Sequence, residues 1–197
     1  KKVVLNLYML NYLDFPKGIS LIYGVSASGK TTLCSQLVAN NPGKVVFIDT
    51  ENGFNVERVQ EMNPLVDLNN IMLFNPTRYS EQFKIVKNLN KVKNISLVII
   101  DSFTHYYRKK LHEKVVINPA TIRMLKMLQD LEVPVILTSQ VYSYDGKVTP
   151  VGSDLFRRFV SYKIFLELDK NMNTKKLKIE DEKLEVPYII EAKGLIV

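Results

Sequence analysis

Residues 23–33 read YGVSASGKTTL, and the spacing inside that stretch decides the fold. Gly24 is followed by four residues and then by Gly29-Lys30-Thr31, between an apolar run, Ser20–Tyr23, and a helical pattern that starts at Lys30. A strand, a glycine-bounded loop and a helix in that order form a phosphate cradle. The glycines let the backbone curl so that successive N–H groups point inward, and the helix N-terminus adds its dipole. Lys30 adds a point charge for β- and γ-phosphates, and Thr31 offers a hydroxyl to Mg²⁺. The expected nucleotide-binding loop is therefore Gly24, Val25, Ser26, Ala27, Ser28, Gly29, Lys30, Thr31 and Thr32.

Outward from this loop, apolar runs and helical patterns alternate. The spacing predicts a helix over 30–40, stopped by NNPG, then a strand KVVFID over 44–49 and a short helix over 56–62. IMLF reads as a strand, and 80–92 as a helix with Phe83, Val86 and Leu89 on one face. SLVIID, 96–101, is another buried run. Asn118-Pro119 reads as a cap and first-turn proline opening a helix through Leu131, followed by the strand PVILTSQ. Alternating units with near-continuous Val/Ile strands imply a parallel sheet covered on both faces. The end differs: VSYKIFLEL, TKKLKIE and LEVPYIIEA follow one another across short polar joins, so an antiparallel β extension is expected to close the sheet. The whole chain, 1–197, reads as one α/β domain.

Chemistry collects at the ends of these strands. Asp101 ends LVIID, where ligands bind in open α/β sheets, and is the expected second metal residue beside Thr31. A GTPase would need Asn-Lys-x-Asp; the nearest match, Asn90-Lys91-Val92-Lys93, lacks the aspartate. ATP is the expected nucleotide. Ser102 follows Asp101, so the available catalytic carboxylate is Glu51, just past VVFIDT, placed to orient a water in line with the γ-phosphate. Gln140, closing VILTSQ, can sense that phosphate from another strand end.

In order and spacing, YGVSASGKTTL, FIDTENGFNVERV, LVIIDS, VPVILTSQVY and PVGSD resemble the archaeal branch of the RecA superfamily, and within it the short paralogues of the strand-exchange recombinase. The match covers roughly residues 18–168. The resemblance implies a RecA-like P-loop ATPase core without an N-terminal helix-hairpin-helix domain, weak ATP hydrolysis, and a role in homologous recombination and repair. It gives Lys30, Thr31, Glu51 and Asp101 the roles reached above. Gln140 becomes the glutamine that couples nucleotide state to a DNA loop, and Arg58, in NVERV, the arginine that stacks on adenine. It implies DNA as a partner, single-stranded or junction, and other repair proteins such as a Holliday junction resolvase. The sequence departs from the family at Ser26, Ala27, Ser139 and Ser153, and IEDEKLEVP does not match the proline-bearing loop that caps a neighbour's ATP in recombinase filaments.

Twenty-seven basic against 20 acidic residues leave a net charge of +7, which suits a polyanionic partner. Arg108, Lys109, Lys110 and Lys114 follow Asp101 and can neutralise DNA phosphates. Tyr106 and Tyr107 there either offer stacking faces or pack inward. A second segment, 142–158, is long for a loop in a compact domain and carries Lys147, Arg157 and Arg158, which can track a DNA backbone. His105 and His112 lack His or Cys neighbours at ligand spacing, and Lys175, Lys176 and Lys178 alternate with apolar residues as a charged sheet edge. The single cysteine, Cys34, falls on an apolar helix face and excludes an internal disulfide. KKVVLNLYMLNYLDF resembles a signal peptide only briefly, since Asn6, Asn11 and Asp14 interrupt it, and it reads as a first strand or helix. A cytoplasmic protein is expected. Two other functions stay open on the residues alone: a small-molecule or nucleoside kinase with Arg157 and Arg158 on a phosphate-clamping lid, and a non-enzymatic switch in which ATP binding controls docking.

Overall fold

The structure, a computed structural model, describes residues 15–112, 118–145, 147–169, 174–180 and 182–197. The expected first strand or helix and Lys114 lie outside them. Five parallel strands lead the chain: β1 (Gly18–Gly24), β2 (Lys44–Asp49), β3 (Ile71–Phe74), β4 (Ile95–Asp101) and β5 (Pro134–Ser139). Between them run α1 (Lys30–Asn40), α2 (Val56–Met62), α3 (Tyr79–Asn88), α4 (His105–His112) and α5 (Asn118–Gln129). A hairpin, β6 (Val141–Tyr144) and β7 (Lys147–Pro150), and a short helix α6 (Ser153–Phe156) lead to β8 (Val160–Asp169). Then come β9 (Thr174–Ile179), β10 (Leu184–Pro187), β11 (Ile189–Glu191) and β12 (Gly194–Ile196).

The main sheet runs β10-β9-β8-β1-β5-β4-β2-β3. All pairs from β8 to β3 are parallel, and β9 and β10 are antiparallel. Successive strand residues divide between two buried faces, because strand side chains alternate. Ile22, Phe47, Ile99 and Ile136 pack with Leu33, Leu37 and Val38 of α1 on one face. Leu21, Ile48, Ile100 and Leu137 pack with Met124, Leu125 and Leu128 of α5 on the other. Covering both faces is what makes these strands continuous apolar runs rather than alternating ones. Cys34 is fully buried in the first cluster.

The expected antiparallel extension is present: β8 pairs antiparallel with β9 and β9 with β10, and the other edge of β8 joins the extension to the parallel strands by pairing parallel with β1. Two readings of the sequence need correction. LEVPYIIEA is two strands: Pro187 ends β10, and Tyr188 turns inward and is buried, so β11 leaves the sheet and pairs with β12. Segment 142–158 is not an open loop; its first half lies in the β6–β7 hairpin. Among the described residues no helix is long and apolar enough to cross a membrane.

Candidate nucleotide site

β1, β5, β4 and β2 are adjacent in the sheet, so the residues following their C-terminal ends meet on one rim. They enclose a cleft of about 230 Å³ whose wall includes Lys30, Thr31, Glu51, Asp101 and Gln140. All four strand ends expected to carry chemistry reach it.

The loop after β1 depends on close backbone approach. A Cβ on Gly24 would lie 2.4 Å from the Leu166 carbonyl oxygen of β8 and 2.6 Å from Ser28 Oγ. Gly29 has φ +96, a left-handed conformation in which a side chain would be strained, and its Cβ would sit 2.9 Å from Ile190 Cδ1. α1 opens with no side-chain cap and no acidic residue in its first turn, so its first N–H groups face the cleft without a competing carboxylate. Lys30 Nζ donates to the carbonyl oxygens of Gly24 at 2.9 Å and Val25 at 2.8 Å. Burial pushes its pKa down, and the Asp101 and Glu51 carboxylates pull it back up.

Asp101 is 5% exposed, and both its oxygens are engaged. Thr31 Oγ1 donates to Oδ2 at 2.6 Å, and Thr138 Oγ1 donates to Oδ1. Burial raises the carboxyl above its ordinary range, opposed by the two hydroxyl bonds. A buried carboxylate beside a threonine hydroxyl is a hard-oxygen donor set, which fits Mg²⁺. No cluster of three or more His, Cys, Asp or Glu forms among the described residues, so a site built from protein carboxylates alone is not present there.

The turn that presents Glu51 is held by a residue that the sequence reading passed over. Asp49 is 2% exposed and accepts the backbone N–H groups of Glu51 at 3.1 Å, Gly53 at 3.2 Å and Phe54 at 2.9 Å. Thr50 Oγ1 donates to the Ser102 carbonyl and accepts the Ser102 N–H, joining the ends of β2 and β4. The signal was a polar residue inside an apolar run, Asp49 in VVFIDT and Thr138 in VILTS, because a buried polar group needs partners.

Glu51 Oε1 accepts from Gln140 Nε2 at 3.3 Å and lies 3.3 Å from His105 Nδ1. Gln140 Oε1 in turn accepts from Arg108 Nη1. Arg108, read as a DNA contact, therefore lies against the nucleotide side of α4. Lys109 lies over the Tyr106 ring, 5.4 Å from its centroid, and Lys110 is on the same helix. Tyr106 and Tyr107 are buried, and the Tyr106 hydroxyl donates to the Pro76 carbonyl at 2.6 Å, so of the two readings of these tyrosines the inward one holds. Arg157 and Arg158 are exposed just past α6, Arg157 paired with Asp154 at 3.2 Å. α6 adjoins α4: a Cβ on Gly152 would be 3.8 Å from Thr104 and 3.9 Å from Tyr107. Lys147 lies in β7, outside the described side chains.

The C-terminal hairpin β11–β12 props the phosphate loop from the opposite side. The Tyr188 hydroxyl donates to the Ser28 carbonyl at 2.5 Å, and Gln36 of α1 bonds the Leu195 backbone through both ends of its amide. Arg58 Nη2 donates to the Glu191 carbonyl at 3.4 Å, while its Nε is buried without a hydrogen-bond partner among the described residues. The expected adenine residue thus sits against the hairpin.

Fold and cleft together define a RecA-like nucleotide-binding core. The RecA N-terminal domain family matches residues 8–116. A DNA repair and recombination protein RadB from Thermococcus onnurineus is 33% identical over 181 residues, 83% of this chain and 78% of that one. Its counterpart from Methanococcus maripaludis is 30% identical over 178 residues, covering 83% and 82%. A crystal structure of the RadB recombinase is similar with a TM-score of 0.76 at 26% identity, over 92% of this chain and 90% of that one. The chain belongs to the RadB family of DNA repair and recombination proteins, recombinase paralogues with a RecA-like core.

Proposed function

We propose that this chain binds Mg·ATP in the cleft and DNA on the neighbouring surface, and that it hydrolyses ATP weakly. One observation carries the reading: Lys30, Thr31, Asp101, Glu51 and Gln140 reach one cleft from four adjacent strand ends. Backbone N–H groups of the loop and Lys30 bind the phosphates, and Thr31 and Asp101 would hold Mg²⁺. Bound there, the ion would neutralise charge on the β- and γ-phosphates. Glu51, fixed by the turn around Asp49, orients a water toward the γ-phosphate, and Gln140 donates its amide to the same group. Arg58, held against the β11–β12 hairpin, would stack on the base.

DNA, single-stranded or junction, follows the basic side chains of α4 and the segment after α6, with Lys109, Lys110, Arg157 and Arg158 neutralising phosphates; Lys114 and Lys147 are further candidate contacts by sequence. A repair partner such as a Holliday junction resolvase would meet the protein on that DNA, in the cytoplasm.

The test is the ATPase rate with and without single-stranded DNA, alongside DNA affinity with and without ATP. The reading expects slow hydrolysis, DNA affinity that falls with salt, and mutual dependence of the two ligands. No ATP affinity by calorimetry would overturn it. ATP affinity with DNA binding but no turnover would reduce the site to a switch.

A further inference from the structure

Two donors converge on one oxygen of Glu51. Gln140 Nε2 reaches Oε1 from the end of β5 and His105 Nδ1 reaches the same atom from the start of α4, each at 3.3 Å, while Oε2 has no hydrogen-bond partner among the described residues. A carboxylate only accepts, so the hydrogen shared with His105 belongs to the ring, on Nδ1. Both ends of this contact are held in place. Asp49 ties down the turn that carries Glu51. On either side of His105, Thr104 Oγ1 bonds Ser139 Oγ at 3.1 Å and the Tyr106 hydroxyl donates to the Pro76 carbonyl. The Tyr106 ring meets the imidazole edge-on, with centroids 4.7 Å apart and planes at 88°, which sets the plane of the imidazole. The imidazole is 18% exposed and the Glu51 side chain 37%, so the ring is the more enclosed of the two and the carboxylate stays open to water.

We infer that His105 is a positioning residue for Glu51: its Nδ1–H, with the Gln140 amide, holds Oε1 and leaves Oε2 to take the proton of the attacking water. The inference rests on the hydrolytic reading above and adds a residue to it. In that step the water oxygen bonds to the γ-phosphorus, the bond from that phosphorus to the bridging oxygen breaks and releases ADP, and the proton passes to Oε2. A half-exposed glutamate samples several rotamers, and a base works only within hydrogen-bond reach of its proton. Donors from two separate strand ends select one rotamer and one oxygen before the water arrives, which raises kcat rather than nucleotide affinity. As neutral donors they leave the charge on the carboxylate, with some loss of basicity. A histidine that only braced α4 against the end of β2 would act on stability and leave the rate alone.

The first measurement uses the wild-type protein without nucleotide, at a pH where the ring is neutral: the ¹⁵N shifts of the His105 ring report which nitrogen carries the proton. The proton is expected on Nδ1, and in Glu51→Ala it should move toward Nε2. The second measurement is steady-state ATP hydrolysis, with Mg·ATP affinity by calorimetry and folding by circular dichroism. His105→Ala should lower kcat by about tenfold, and by no more than the loss of about a hundredfold expected of Glu51→Gln, with KM and nucleotide affinity unchanged. His105→Asn carries its amide nitrogen on Cγ, where Nδ1 stands, and should recover most of the rate. Added to Glu51→Gln, His105→Ala should cost almost nothing further, because a residue that acts through Glu51 then has no base to position. A wild-type proton on Nε2 overturns the inference, as does wild-type kcat in a folded His105→Ala or an Asn variant as slow as the Ala one. So does a raised KM at constant kcat, which would make His105 a nucleotide contact. A wild type with the Nδ1–H tautomer that binds Mg·ATP and never turns it over is a different failure: the hydrolytic reading falls, and the inference falls with it.

Discussion

Thr31 and Asp101, 70 residues apart in the chain, are joined by a 2.6 Å hydrogen bond from the threonine hydroxyl to Oδ2. The bond brings the first turn of α1 to the end of β4 and places one hydroxyl and one carboxylate side by side. The carboxylate is 5% exposed, and its partners are neutral hydroxyls rather than a cation. Burying a charge on such terms costs stability. A cation held by the pair, as proposed, would offset that cost.

Asp101→Asn should separate the two effects. Burial raises the folded-state carboxyl, so the native state binds a proton more tightly than the unfolded chain. Stability from this group is present below the ordinary carboxylate range and is lost as pH rises through the raised value. The asparagine variant should melt no lower than wild type at neutral pH, lack that pH-dependent loss, and bind nucleotide with no Mg²⁺ dependence. A large drop in its melting temperature at neutral pH would show that the carboxylate charge stabilises the fold.

Lys30→Ala tests the cradle. The ammonium spans two loop carbonyls, and a charge-assisted hydrogen bond contributes about 1.5–3 kcal/mol. Mg·ATP affinity should fall about tenfold or more, with the fold retained by circular dichroism. Wild-type affinity by calorimetry in the folded variant would remove Lys30 from the site.

Glu51→Gln keeps an oxygen that can accept from Gln140 and His105, so the local contacts survive. Nucleotide affinity should be unchanged. Hydrolysis should drop about a hundredfold or more, the range for a positioned base. A variant as fast as wild type would move the role to another group.

How much of this was legible turns on where the information lies along the chain. The bounds of α1, β2, α2 and β3 match the sequence reading because local punctuation sets them: Gly29 before α1, NNPG after it, and Asn55, whose side chain accepts from Arg58 N at 2.7 Å, before α2. The rim residues were legible because a polar residue ending an apolar strand is conspicuous. Properties set by distant partners were not. The direction of β8 depends on β1, the inward turn of Tyr188 on Ser28, and the burial of Tyr106 on the Pro76 carbonyl. The bond from Arg108 to Gln140 was not legible either, because nothing near Arg108 in sequence announces a partner 32 residues on.

Tyr188→Phe tests the hairpin prop. The change removes the buried bond to the Ser28 carbonyl and leaves the ring in place. The loss should be about 1 kcal/mol, or roughly 2–4 °C in melting temperature for a chain of this size. Nucleotide affinity should fall as well, because Ser28 belongs to the phosphate loop. Lower stability with unchanged affinity would confine the hairpin to a structural role.

The proposed DNA surface is tested by charge removal on its two segments. Lys109 and Lys110 lie on α4, while Arg157 and Arg158 follow α6, so Lys109→Ala with Lys110→Ala and Arg157→Ala with Arg158→Ala are separate probes of one adjoining surface. Arg157 and Arg158 are exposed, and the Arg157–Asp154 pair is solvent-facing, a kind worth at most about 1 kcal/mol. Melting temperatures should therefore stay close to wild type for that pair. Releasing counterions from single strands gives a log–log salt slope of about −0.7 per phosphate neutralised, so each double variant should flatten the slope by up to about 1.4 and weaken binding alike for all sequences. Loss in one pair only would confine the contact to that segment. Wild-type affinity and slope in both would place the DNA on another face, and a wild-type protein with no DNA affinity at low salt would remove DNA from the proposed function.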